Sequence, residues 1–254
     1  MRILLTNDDG INAAGFGALQ QVAAALSDEV WCVAPESDQS GTAHSLTLHE
    51  PLRCRKLNER MYSVRGTPTD CAIMAVHNLM PHKPDLVLSG INHGENAGGD
   101  VTYSGTIAGA IEGTLLGVPS IALSLSLGGR KPSTGHWDTP IAHAPALIRR
   151  LIAAGWPANV LINLNFPDLP PGETLAAVVT RQSIHEDTLW NIQDRTDGRG
   201  QPYFWVGYEG RDKNAPEGTD IWAIQRGHIS VTPLHLDLTH DATAAKLARD
   251  LAAT

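Results

Sequence analysis

Two adjacent carboxylates carry the strongest chemical signal in this chain: Asn7-Asp8-Asp9-Gly10 follows directly on the apolar run Ile3-Leu4-Leu5. Neighbouring aspartates repel each other unless a cation lies between them, and hard divalent ions such as Mg²⁺ or Mn²⁺ take oxygen ligands. The competing reading is a solvated turn in which Asp8 or Asp9 caps the next helix, because Asp is a favoured N-cap. A second cluster, Asp38-Gln39-Ser40-Gly41-Thr42-Ala43-His44-Ser45, is a loop of small hydroxyl residues able to offer oxygen to a metal or a phosphate. Its composition alone marks only a loop. A third runs Ser89-Gly90-Ile91-Asn92-His93-Gly94-Glu95-Asn96-Ala97-Gly98-Gly99-Asp100, with four glycines and two asparagines in twelve residues. Glycine permits close backbone approach, and Asn92 and Asn96 offer amide oxygens to a metal or amide donors to a ligand. Ser104-Gly105-Thr106 then opens a helix whose N-terminal N–H groups favour an anion.

Other polar residues carry less. Eleven histidines are scattered without any pair at metal-ligand helical spacing. His44 and His93, inside the candidate loops, can approach a substrate, and the rest read as surface or satisfied core residues. Gly66-Thr67-Pro68-Thr69-Asp70 is explained by a turn and a helix cap.

The elements that must position these residues alternate short apolar runs with helical patterns, as in a parallel sheet covered on both faces. Strands are predicted at Ile3 to Leu5, Val30 to Ala34, Leu86 to Leu88 and Ser120 to Leu125, and a helix over Gly15 to Leu26 from Phe16, Leu19, Val22, Ala23 and Leu26. Leu46 to Leu57 and Met61 to Val64 form a hairpin on this reading, and Thr69 or Asp70 caps a helix running to Met80. A helix at Ile107 to Leu116, another at His136 to Ala154 and a strand at Val160 to Asn165 follow. Asp168 to Gly218 is rich in Pro, Gly and charge. Ile221 to Pro233 reads as a β-hairpin turning at Gln225-Arg226-Gly227, before a last helix at Asp241 to Ala253. Without repeats or a low-complexity linker, residues 1–254 read as a single α/β domain, with a core of about 1–165 and a C-terminal elaboration of about 166–254.

Composition narrows the partners. The chain has 254 residues, 27 acidic against 19 basic side chains, a formal charge of -8 and 42% hydrophobic content. That balance excludes a general binder of long nucleic acid or anionic membrane, which needs a basic surface to neutralise rows of phosphates. Three cysteines, Cys32, Cys54 and Cys71, at unrelated spacings read as reduced thiols of a cytoplasmic protein. The opening strand turns charged too soon for a signal peptide, and no apolar run approaches a membrane span.

Taken in order, these motifs, with Glu112-Gly113, Gly218-Thr219-Asp220 and Ile229-Ser230-Val231-Thr232-Pro233-Leu234, resemble the SurE family of stationary-phase survival proteins, which act as metal-dependent nucleotidases. The resemblance covers nearly the whole chain. It implies a Rossmann-like, mostly parallel sheet with helices on both faces, bearing the active site, and a C-terminal β-hairpin and helix extension for homodimer or homotetramer contacts. It implies hydrolysis of nucleoside 5′-monophosphates, with 3′-monophosphates and short polyphosphate as further substrates. One divalent ion per subunit, Mg²⁺ or Mn²⁺, would be held by Asp8, Asp9, Ser40 and Asn92, and the phosphate would meet Asn96, Ser104, Gly105 and Thr106. Asp8 or Asp9 would orient or deprotonate the attacking water. Gln39 departs from the family, which often has a basic residue there, and Ser183 to Lys213 matches no strict pattern. Two rivals remain at this stage. A phospho-aspartate phosphatase would need an acid where this chain has Asn7, which cannot form an acyl phosphate. A nucleotide-binding sensor or scaffold without turnover would use the same glycine-rich loop only to hold its ligand.

Overall fold

Parallel strands need both faces covered, and the first strand shows how the sequence meets that demand: Ile3 and Leu5 enter one buried cluster while Leu4 enters another. The structure, a computed structural model, describes residues 1–127, 131–184, 190–208 and 215–252. Its strands are β1 (Arg2–Thr6), β2 (Glu29–Pro35), β3 (Arg53–Asn58), β4 (Met61–Arg65), β5 (Leu86–His93), β6 (Ser120–Leu125), β7 (Val160–Phe166), β8 (Leu175–Val179), β9 (Trp190–Thr196), β10 (Pro202–Tyr208) and β11 (His228–His235). The helices are α1 (Ala14–Ala24), α2 (Pro68–Met74), α3 (Gly105–Leu115), α4 (Asp138–Ala154), α5 (Asp220–Gln225) and α6 (Asp241–Ala252).

Among the described residues nine strands form one sheet in the order β3-β4-β2-β1-β5-β6-β7-β11-β8. From β4 through β7 every neighbouring pair is parallel, while β3 and β11 run antiparallel to β4 and β7. On one face Phe16, Leu19 and Val22 of α1 and Ala144 and Ile148 of α4 pack on the sheet. Cys71 of α2 and Ile107 and Ala110 of α3 cover the other. Each fully buried side chain of Leu or Phe size stabilises by roughly 1.5–3 kcal/mol, so these two layers fix the sheet. The chain leaves β1 toward β2 on one side, and β5 lies on its other side. Where strand order reverses in this way, a crevice opens beyond the carboxyl ends, here those of β1 and β5.

The mostly parallel sheet with helices on both faces agrees with the reading of the sequence, and the early strands and helices fall where expected. The 46–64 hairpin is real but begins at Arg53, and the helix after it starts at Pro68 with Thr67 as its cap. Thr67 Oγ1 accepts from the Asp70 N–H at 3.1 Å, while the Asp70 carboxylate accepts from the Thr67 N–H at 2.9 Å. The helix breaks from regular α geometry after Met74, passing through a wider π turn over Ala75–Leu79. One expectation fails: Ile221 to Gln225 is helix α5, not the first arm of a hairpin, and Ile221 is buried. Thr219 caps it by accepting from the Trp222 N–H, and only β11 beyond the Arg226-Gly227 turn is strand. The C-terminal hairpin lies earlier, in the paired strands β9 and β10. Residues 128–130, 185–189, 209–214 and 253–254, which include parts of the 183–213 stretch and Ala253, the expected last residue of the C-terminal helix, lie outside the described residues. Among those described, the three cysteines are free, and no helix is long and apolar enough to cross a membrane.

Candidate active site

β1 ends at Thr6, so Asn7, Asp8 and Asp9 emerge at the crevice. Asn7 shapes the turn by donating from Nδ2 to the Gly10 carbonyl at 2.9 Å, and Gly10 sits at φ +98° with a hypothetical Cβ 3.3 Å from the Ser37 carbonyl carbon. The Asp8–Gly10 turn and the loop after β2 are therefore in contact. The Gln39 N–H also donates to the Asp8 carbonyl at 2.8 Å.

Asp8 is 4% exposed, and its carboxylate accepts the Thr106 hydroxyl. Helix α3 comes this close because Gly105 has no side chain: a Cβ there would stand 2.7 Å from Asp8 Cβ. Burial raises the Asp8 carboxyl from 3.8 to about 6, the Thr106 hydrogen bond opposes that, and the Asp9 and Asp38 charges add to it. Asp9 faces His93, whose backbone N–H donates to Oδ2 at 3.1 Å and whose ring Nδ1 pairs with Oδ1. The Asp9 carboxylate in turn raises the His93 pKa against the opposing effect of its burial.

Ser40 lies on the exposed loop, its N–H and hydroxyl both donating to Asp38 Oδ1 at 2.8 and 2.6 Å. The hydroxyl proton is thereby engaged by Asp38 and the oxygen lone pairs stay available. Asn92 donates from Nδ2 to the Gly94 carbonyl at 2.8 Å, which leaves its amide oxygen as the acceptor or ligand atom. Ser104 is the N-cap of α3, accepting from the Ile107 N–H at 3.0 Å, while the N–H groups of Gly105 and Thr106 belong to the first turn and have no intrahelical acceptor. Asn96 is buried and tightly held. Its N–H donates to Asn165 Oδ1 at 2.9 Å, its carbonyl accepts from Asn163 and Asn165, and its Nδ2 donates to Ser124 Oγ at 2.9 Å.

The residues singled out in the sequence thus sit around one crevice: Asp8, Asp9 and Asn92 at the ends of β1 and β5, Ser40 on the adjoining loop, and Ser104 to Thr106 at the N-terminus of α3. Asn96 lies one layer deeper, part of its amide already engaged. His44 pairs with Glu112 at 2.9 Å. Sequence reasoning missed the supports Asn163 and Asn165 on β7, and the buried Asp220 stood only within the motif Gly218-Thr219-Asp220, without a role. Their signal was available as polar residues interrupting an apolar strand and as an Asp at the first position of a helix.

The donor set suits a hard cation. Asp8 is a nearly enclosed carboxylate, and among the described residues no Lys or Arg pairs with it or with Asp9. Asn7 Oδ1, in the same turn, is buried without a hydrogen-bond partner. Two carboxylates with a hydroxyl and an amide oxygen fit an Mg²⁺ or Mn²⁺ shell completed by water or substrate oxygens, and do not fit a Zn²⁺ site of His and Cys. Among the described residues no group of three or more His, Cys, Asp or Glu gathers to hold a metal, in this crevice or outside it, so an ion here would rest on two carboxylates and neutral oxygens.

Residues 3–188 match the family model described as Survival protein SurE. A 5′-nucleotidase SurE of Parvibaculum lavamentivorans is 54% identical over 97% of this chain and 90% of that protein. A 5′-nucleotidase SurE of Brucella canis is 56% identical over 97% of each. The crystal structure of the SurE protein from Aquifex aeolicus superposes with a TM-score of 0.85 at 40% identity, covering 97% of this chain and 98% of that one.

Proposed function

Since the chain belongs to the Survival protein SurE family, we propose that it is a divalent-metal-dependent phosphomonoesterase that hydrolyses nucleoside 5′-monophosphates to nucleoside and phosphate. The reading extends to 3′-monophosphates and short polyphosphate, whose phosphoryl ends present the same oxygens. The observation that carries it is the Asp8 carboxylate, enclosed at the switch point of the sheet against the N-terminus of α3, with no basic partner among the described residues.

On this reading Asp8, Asp9, Ser40 and Asn92 hold one Mg²⁺ or Mn²⁺ per subunit. The ion supplies Lewis-acid polarisation of a phosphoryl oxygen and of the attacking water. Asp8 or Asp9 would orient or deprotonate that water, with His93 fixing the Asp9 oxygens through its backbone N–H and its ring. The free N–H groups of Gly105 and Thr106 receive charge that builds on the phosphoryl oxygens, as pre-aimed donors do in an oxyanion hole. The Ser104 hydroxyl and the remaining amide N–H of Asn96 complete the phosphate contacts. Asn7 stands where a phospho-aspartate enzyme needs its nucleophile, so water attacks directly. Because β11 of the C-terminal part pairs with β7 in the main sheet, residues 1–254 are read as one domain.

A panel of nucleoside 5′- and 3′-monophosphates and a short polyphosphate, each assayed with Mg²⁺, Mn²⁺ and chelator, tests the proposal. Phosphate release that needs the metal is expected. Turnover undiminished by chelator would remove the metal from the reading, and nucleotide binding without any release would leave a sensor.

A further inference from the structure

We propose that Asp220 is a positioning residue for the phosphate side of the active site: from the C-terminal part of the chain, it holds the segment between Asn96 and Ser104 in place. The inference rests on the reading that Asn96 and Ser104 to Thr106 meet the substrate phosphate. Asp220 is fully buried. Its Oδ2 accepts the Gly98 N–H at 2.9 Å, and its Oδ1 accepts the N–H groups of Ser183 and Ile221, each at 2.9 Å. Three backbone donors offset the cost of removing a carboxylate from water, and such charge-assisted bonds are stronger than neutral ones. The other polar group of Gly98, its carbonyl, accepts from Gln182 Nε2 at 2.8 Å. Both hydrogen-bonding groups of this residue are therefore held by side chains from the far end of the sequence.

Gly98 matters because of where it lies. At φ +58° it begins the 3₁₀ turn Gly98–Thr102 that leads from Asn96 to Ser104, the N-cap of α3. Asn96 is fixed from β7 by Asn163 and Asn165, and α3 is fixed by packing on the sheet; Asp220 and Gln182 hold the start of the span between them at Gly98, while near its end the Tyr103 carbonyl accepts the Ala43 N–H at 3.3 Å. The mount is itself rigid: the Asp220 N–H donates to the Arg181 carbonyl at 2.9 Å, and the Arg181 N–H to the Gly218 carbonyl at 3.0 Å. The metal side of the site, Asp8, Asp9, Ser40 and Asn92, makes no hydrogen bond to this group. Asp220 should thus govern phosphate binding without governing metal binding.

Asp220→Asn separates the two. An amide keeps one oxygen but turns an N–H₂ toward a backbone N–H that now has no acceptor. The KM for a nucleoside 5′-monophosphate should rise about tenfold, and inhibition by inorganic phosphate should weaken by the same factor, as expected for one lost charge-assisted hydrogen bond. Mn²⁺ affinity, measured by calorimetry without substrate, should stay within about twofold, and kcat should fall less than KM rises. Gln182→Ala, which removes the second tether from an exposed side chain, should shift KM the same way by a smaller factor, and it carries the test if Asp220→Asn does not fold. An unchanged KM in either folded variant, or a parallel loss of Mn²⁺ affinity, would overturn the assignment. Wild-type protein that releases no phosphate would instead overturn the phosphomonoesterase reading, and this inference with it.

Discussion

Asp8 is placed where a carboxylate is least comfortable, enclosed, next to Asp9 and relieved mainly by the Thr106 hydroxyl. Its pKa rises from 3.8 in the ordinary state to about 6 in the fold, so between those values the native protein binds more protons than the unfolded chain. Stability of the metal-free protein therefore falls as pH rises through that window, by about 3 kcal/mol at roughly 1.4 kcal/mol per pKa unit. A cation between the aspartates reverses this cost and must displace the proton to do so. The Mn²⁺-induced rise in Tm should accordingly be small at about pH 5 and full at about pH 7.5, with proton release on binding seen by calorimetry in two buffers. Equal rises at both pH values would mean that Asp8 is not a ligand. Asp8→Asn keeps an oxygen for the Thr106 hydroxyl while removing the buried charge. Without metal at neutral pH it should melt higher than wild type, and with metal it should lose more than about hundredfold in kcat, beyond the usual cost of an outer-shell partner. A variant that loses activity and stability together would contradict this division between function and fold.

At the scale of elements, the site depends on how closely α3 approaches the sheet, and three glycines on one face of that helix permit it. A Cβ at Gly105 would lie 2.7 Å from Asp8 Cβ, one at Gly109 2.7 Å from Ser89 Oγ and 2.8 Å from Thr6 Cγ2, and one at Gly113 2.5 Å from Ser120 Oγ. Gly109→Ala should lift the helix and destabilise by roughly 1–3 kcal/mol, the usual cost of overpacking. Gly17→Ala on α1, where a Cβ meets nothing within 4 Å, should stabilise by about 0.4–1 kcal/mol through the unfolded chain. Denaturant titration of the pair measures both signs, and a Gly109→Ala as stable as wild type would refute the close packing. Asp8 and Asp9 after a short apolar strand, and the start of α3 at Ser104-Gly105-Thr106, were legible in the sequence because β1 and α3 are built by local pattern, whereas the role of the Gly105, Gly109 and Gly113 spacing emerged only from the packing. What was not legible depends on distant partners. Asn163 and Asn165 look like defects in an apolar strand until Asn96 is seen to need them. Ile221, Trp222 and Ile224 imitate a strand by their β-branched and aromatic character, yet the Thr219 cap and burial against Ala97 and Ala215 make them helix. The hairpin of β9 and β10 escaped because its charged and exposed residues give no alternation against a core.

Across the whole molecule, the sheet and its helices bury their apolar faces, but two C-terminal elements do not. The β9–β10 hairpin pairs only with itself among the described strands, and alternation along β10 sends Phe204 and Val206 to one side and Tyr203 and Trp205 to the other. Apolar side chains of β10 thus stand on both faces, beside polar partners such as Asp194, Arg195 and Gln193 of β9, with Phe204 64% and Trp205 61% exposed, and a solitary two-stranded ribbon is marginal in water. Helix α6 has no buried residue, and Leu238, just before it, is 93% exposed. Apolar surface gathered in this way, on elements outside the main core, is what an interface between copies of the chain would cover, in line with the homo-oligomer that the family resemblance implies. The protein should therefore run as a homodimer or homotetramer in light scattering coupled to gel filtration. Phe204→Glu should shift it to a smaller species, and because the residue is exposed in the folded chain, intrinsic stability at the same protomer concentration should change by no more than about 0.5 kcal/mol apart from the lost association. A wild type that is monomeric at micromolar concentration would assign the hairpin another role. Phosphate release per subunit in the dissociated Phe204→Glu protein then decides whether assembly only protects apolar surface or also supports the site. Asp8, Asp9, Ser40, Asn92 and the start of α3 all come from one chain, so activity per subunit is expected to persist.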